Sequence, residues 1–274
     1  MRGGEDAKTP DGRSRSGGEP VYRILEALAG AIMTVQGVRR RYDGLENVPA
    51  SGGAVLAVNH TSYVDFLPAG LGLYRRGRRG RFLIKSEVMD VGIMRFLVKH
   101  ARAVPVDRSA GREAYRVAVA DLRAGEIIVV YPESTLSRSF ELKEFKTGAV
   151  RMASEAGVPV IPTIVWGSQR QWTKGAKRRM GRSRIPVDVA FGEPLHVTPR
   201  DDPEEATRRL RAAMEALLHR VQSGYPDAPA GADWLPARLG GGAPTPAEAL
   251  VIEDAEAAEK ARRRAQRAAR KRAG

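Results

Sequence analysis

The chain has 274 residues, enough for one large domain with a substantial core and loosely ordered ends. It has no cysteine, which excludes disulfides, thiolate metal sites and an acyl-cysteine intermediate. Its four histidines, His60, His100, His196 and His219, lack the HExxH spacing of a zinc helix, so no metal is expected.

The balance of 46 Lys and Arg against 32 Asp and Glu gives a formal net charge of +14, a field that draws anionic partners. Aromatic residues make up only 6% of the chain. There is no basic-aromatic interleaving and no zinc-finger or RNA-recognition signature, so an anionic membrane surface is the expected partner and nucleic acid is not.

Residues 1–19 are rich in Gly, Ser, Arg and Pro, bury too little apolar surface to offset ordering, and are expected to be disordered. Residues 20–37 carry Ile24, Leu25, Leu28, Ile32 and Val35 near helical spacing. They predict an amphipathic helix that either packs on the domain or lies in a membrane interface. Its longest apolar run, residues 27–35, falls short of the roughly 20 residues that span a bilayer, and it has no signal-peptide pattern. A basic strand at 38–42, a loop at 43–53, a buried strand at 53–59 and an apolar helix at 64–73 follow.

The segment Arg75 to Arg81 holds five Arg in seven residues. It is read as a solvated basic loop, with contact to lipid or carrier phosphates as the functional option. Beyond it, strands are expected at 82–85, 103–106, 127–130, 160–166 and 187–191, and helices at 92–98, 112–124, 147–155 and 203–222. A second basic cluster at 174–184 lies beside Trp172, as a mobile surface loop or a headgroup-binding tip. This alternation predicts an α/β fold: a single domain with a largely parallel or mixed sheet flanked by helices, plus the N-terminal amphipathic helix. The domain is expected over 20–224, a Gly/Pro/Ala-rich linker over 225–246, and a charged tail over 247–274, acidic then basic, helical or disordered.

His60 and Asp65 pair a titratable imidazole with a carboxylate at a strand-to-helix turn. On a regular helix five residues would separate them by about 140°. With His60 just outside the first turn in extended backbone, Asp65 can fold back and hold one ring nitrogen, leaving the other to take a proton from a hydroxyl. On these two residues alone, the alternative stays open that His60 caps the helix or fills a hole while Asp65 is solvated.

Further segments weigh toward the first reading. His60 and Asp65, the run Ala103 to Arg108, the run Tyr131-Pro132-Glu133-Ser134-Thr135-Leu136-Ser137, and Val158 to Thr163 together resemble the four blocks of the glycerolipid acyltransferase family, over roughly residues 40–200. The resemblance implies that His60 is the general base and Asp65 its orienting acid. It also implies that Lys85, Arg108, Glu133, Ser134, Thr135 and Arg138 bind the acceptor. Two positions depart from the pattern: Ser134 stands where the family usually has Gly, and Leu136 where it usually has an Arg that binds phosphate. Leucine makes no charge-assisted hydrogen bond, so Arg138, or Lys85 with Arg108, must supply that charge, or the acceptor differs.

The implied activity is transfer of a fatty acyl group from acyl-CoA or acyl-ACP to a lysophospholipid hydroxyl, most simply 1-acylglycerol-3-phosphate, with no bound cofactor. The expected setting is the cytoplasmic face of the cell membrane, peripheral or monotopic. The alternatives are an acyltransferase for a different hydroxyl acceptor, and a non-catalytic basic membrane-binding protein with an acyltransferase-like core. A serine hydrolase is disfavoured because the chain lacks GxSxG.

Overall fold

Ala54–Val58 is a run of five apolar residues, every one buried, which is the pattern of a central parallel strand covered on both faces. The computed structural model describes residues 20–85, 104–106, 111–226 and 228–273. In chain order its elements are α1 (Pro20–Val35), β1 (Arg39–Asp43), β2 (Ala54–Val58), α2 (Phe66–Arg75), β3 (Gly80–Lys85), β4 (Val104–Val106), α3 (Gly111–Arg123), β5 (Ile127–Val130), α4 (Gly148–Ala156), β6 (Val160–Trp166), β7 (Pro186–Phe191), α5 (Pro203–Ser223) and α6 (Pro246–Ala273). The helix expected at 92–98 and Arg108 lie outside the described residues.

The strands form one seven-stranded sheet in the order β1-β7-β6-β2-β5-β3-β4. β2 runs parallel to both β5 and β6, β3 runs parallel to β5 and β4, and β7 is antiparallel to β6 and parallel to β1. The α/β mixed sheet expected from the alternation of elements is the one observed.

Because strand side chains alternate, β2 feeds two cores. Val55 and Ala57 join Ile128, Val130, Ile164 and Trp166 beneath α3, α4 and α5. Ala54, Leu56 and Val58 join Ile127, Val129, Ile161 and Val165 beneath α2, with Met33 of α1. Helix α1 is thus fixed by Met33, which is 1% exposed, while Ile24, Leu28, Ile32 and Val35 remain exposed as an apolar stripe.

Two sequence readings change. The arginines of 75–81 are largely structural: Arg76 Nε donates to Val48 O, Arg78 to the carbonyls of Pro49, Gly52 and Gly125, and Arg81 pairs with Glu126. Loop carbonyls without ladder partners need such donors, and the fork of an arginine reaches several at once. The stretch 225–246, expected as a linker, is packed. Tyr225, Leu235 and Ala243 belong to the core, and Tyr225 lies edge-on to Trp166 and Trp234. Its Gly and Pro serve turns, while its few large side chains carry the packing.

Helix α6 begins with a reciprocal cap, Thr245 N to Glu248 Oε2 at 2.8 Å and Glu248 N to Thr245 Oγ1 at 3.3 Å.

At the end of β2, the wholly buried Asn59 imitates a strand residue. Its amide donates to Val165 O at 3.1 Å and accepts from Val165 N at 2.7 Å. Asn59→Ala leaves both groups unpaired in the core, and an expected loss of about 3 kcal/mol is measurable by denaturant unfolding.

Candidate active site

In a parallel sheet the segments leaving β2, β5 and β6 emerge at one edge. Here they deliver His60, Tyr131 with Glu133, and Ser168. Asp65, fully buried, lies immediately before α2, yet its carboxylate does not cap that helix. It turns back on the chain before it: Oδ2 accepts from Thr61 N at 2.8 Å and from Ser62 N at 2.7 Å, and faces His60 Nδ1 at 3.3 Å. Oδ1 accepts from the Ser168 hydroxyl. With three donors besides the imidazole, the carboxylate's oxygens are satisfied and its direction is fixed. Nδ1 of His60 therefore carries the proton toward Asp65, and Nε2 keeps a lone pair able to accept one.

The His60 ring stacks on Tyr131 with centroids 4.1 Å apart and planes inclined by 27°; 22% of the His60 side chain remains exposed. Burial pushes the Tyr131 hydroxyl well above its usual range, and the Asp65 charge adds to this, so the ring under the imidazole is neutral.

Glu133 lies at the junction of two loops. Oε1 accepts from His60 N at 2.8 Å and Oε2 from Lys143 N at 3.1 Å. Ser137 N donates to His60 O at 2.8 Å, and Thr173 Oγ1 donates to Thr61 O at 2.6 Å. The His60 backbone is thereby held on both sides.

The two departures in the third block acquire physical meaning. Ser134 has φ 63°, a left-handed conformation that favours glycine. Leu136 is buried at 8% exposure. Charge gathers instead at Arg138 and Lys143, whose Nζ donates to Thr135 Oγ1 at 2.9 Å. Lys85 ends β3, and only its backbone is described. Ser168 and Lys143 were not picked out in the sequence. The signal for Ser168 was Gly167-Ser168 directly after a buried strand, where Gly167 has φ 100° and an added Cβ would meet Pro186 O at 2.2 Å.

Residues 39–166 match the family model described as Acyltransferase. The chain is 27% identical over 205 residues to 1-acyl-sn-glycerol-3-phosphate acyltransferase of Bacillus subtilis, an alignment covering 74% of this chain and 96% of the relative. It is 27% identical over 224 residues to the human alpha form of the same activity, covering 80% and 77%. Among solved structures it is similar to the 1-acyl-sn-glycerophosphate acyltransferase PlsC of Thermotoga maritima, with TM-score 0.62, 21% identity, and coverage of 76% and 82%, a likeness of fold. Residues 39–166 carry an acyltransferase domain, and the chain around it is similar to glycerolipid acyltransferases. It is an O-acyltransferase, similar to relatives named 1-acyl-sn-glycerol-3-phosphate acyltransferase.

Burial raises the Glu133 carboxyl from its ordinary 4.5 to about 7, opposed by the two backbone donors. The folded protein therefore keeps this proton after the unfolded chain has lost it. Stability relative to a Glu133→Gln variant should fall by up to about 3 kcal/mol as pH rises from about 4.5 to about 7, and stay level above, in denaturant titrations. Ser134→Gly should relieve the left-handed strain and raise stability by about 1 kcal/mol in the same assay.

Proposed function

We propose that this protein transfers a fatty acyl group from acyl-CoA or acyl-ACP to the free hydroxyl of 1-acylglycerol-3-phosphate, giving phosphatidic acid. The observation that carries the reading is the His60–Asp65 pair, whose acid is immobilised by Thr61, Ser62 and Ser168. His60 Nε2 removes the acceptor's proton as its oxygen bonds to the thioester carbonyl. The tetrahedral intermediate collapses, breaking the carbon–sulfur bond, and the departing thiolate takes the proton back from His60. The 3.3 Å contact to Asp65 is long in the resting state. Its shortening when the ring is charged stabilises the imidazolium where it is needed, in the transition state. Glu133 fixes the turn that aims the ring.

The acceptor's phosphate belongs beside Thr135, near Arg138 and Lys143, with Lys85 and Arg108 contributing by family resemblance and Ser134 shaping the turn. These cations support a phosphate-bearing acceptor despite Leu136. The enzyme works at a membrane surface, on the cytoplasmic face, as a peripheral or monotopic protein. No helix among the described residues is long and apolar enough to cross a bilayer. The exposed stripe of α1 supports seating in the interface, where acceptor and product reside.

His60→Ala should lower thiol release from acyl-CoA with 1-acylglycerol-3-phosphate by about 10³-fold while circular dichroism shows the fold retained. Near-normal turnover in that variant excludes the general-base role. Thiol released in water without acceptor would mark a hydrolase.

A further inference from the structure

Three cations stand around the catalytic turn, each one residue from, or part of, a contact that holds it. Arg138 follows Ser137, whose N–H binds His60 O. Lys143 donates its N–H to Glu133, which takes the His60 N–H with its other oxygen. Lys174 follows Thr173, whose hydroxyl binds Thr61 O. The cluster is therefore built onto the frame that sets the imidazole. A side chain at Gly175 would enter it, since a Cβ there would come within 2.7 Å of Arg138 Nη1.

The carboxylates that pair with these cations among the described residues come from the far end of the chain. Glu253 Oε2 lies 2.5 Å from Lys143 Nζ; Glu256 pairs with Arg138 and, at 2.8 Å, with Lys174. The two acids sit three residues apart on α6, one turn of one face, and present two negative charges to three cations. Little else ties this part of α6 down. Ala249 is buried, whereas Leu250 and Val251 are 56% and 69% exposed. Contacts of this kind between partly exposed ions are weak, salt-sensitive and open to exchange.

A phosphomonoester carries nearly the same charge as the two carboxylates, on one group with three acceptor oxygens. We propose that Glu253 and Glu256 occupy the seat of the acceptor's phosphate, with Arg138, Lys143 and Lys174 as its cradle, so that α6 is a plug displaced by a phosphate-bearing acceptor. This rests on the lysophospholipid reading above and names the cations that replace the arginine absent at Leu136.

The test uses the full chain and the double variant Glu253→Gln/Glu256→Gln, with 1-oleoylglycerol-3-phosphate and monooleoylglycerol as acceptors in phosphatidylcholine vesicles. The plug predicts a KM for the phosphorylated acceptor about 10-fold lower in the variant, and no change for monooleoylglycerol. In the Lys143→Ala/Lys174→Ala background the KM for the phosphorylated acceptor rises, and neutralising the acids no longer lowers it. In His60→Ala protein, hydrogen exchange over residues 246–260 should quicken at least 10-fold with 1-oleoylglycerol-3-phosphate, and also with millimolar inorganic phosphate, but not with monooleoylglycerol. Unaltered KM and unaltered exchange beside normal turnover overturn the plug and leave the acyltransferase reading intact. Quickening by inorganic phosphate in a protein that acylates no lysophospholipid overturns the acceptor reading and leaves the anion seat. Equal quickening by phosphatidylglycerol vesicles, which carry no phosphomonoester, overturns the proposal in favour of a response to charged surface.

Discussion

A buried carboxylate is the constraint on which the rest of this site depends. Asp65 has no exposure, and its carboxylate oxygens find their partners in Thr61 N, Ser62 N, the Ser168 hydroxyl and the His60 ring. These donors come from the turn after β2 and from the end of β6. The carboxylate therefore clasps two strand ends that pair in the sheet and makes their relative position part of its own solvation. Any shift of β6 relative to β2 leaves a lone pair facing apolar side chains, which is costly in a low-dielectric interior.

A second buried carboxylate extends the same logic toward β5. Glu133 accepts one N–H from the His60 turn and one from Lys143, and burial draws its proton affinity up toward neutrality. Where Asp65 is surrounded by enough donors, Glu133 is supplied with only two. The scarcity of donors leaves burial to dominate at Glu133 and hold its carboxyl above the ordinary range.

Much of this was readable beforehand, for identifiable reasons. The buried runs of β2, β5 and β6 and the Gly and Pro around them are local signals, and they located the strands within a residue or two. The His60 and Asp65 pairing was legible because it lies within one turn of chain. Ser168 and Lys143 were not, since Ser168 reaches Asp65 from 103 residues away and Lys143 reaches Glu133 through a loop whose path no periodicity reports. The arginines of 75–81 misled because composition reports charge, while the number of unpaired carbonyls nearby depends on loop geometry. The packing of 225–246 was hidden for a related cause: Tyr225, Leu235 and Ala243 are sparse, with no period, and are recruited by the surface they meet.

The reversal of β7 against β6 carries a last consequence. A tight hairpin turn between them would leave this edge at once. Here the chain lingers there from residue 167 to 185 before turning home, and that stretch supplies Ser168, Thr173 and Lys174. A hairpin connection of this kind tolerates changes of length and composition far better than the strands it joins. Only the positions of this excursion that do not hold the turn are free to drift, because Ser168 and Thr173 tie it to Asp65 and Thr61.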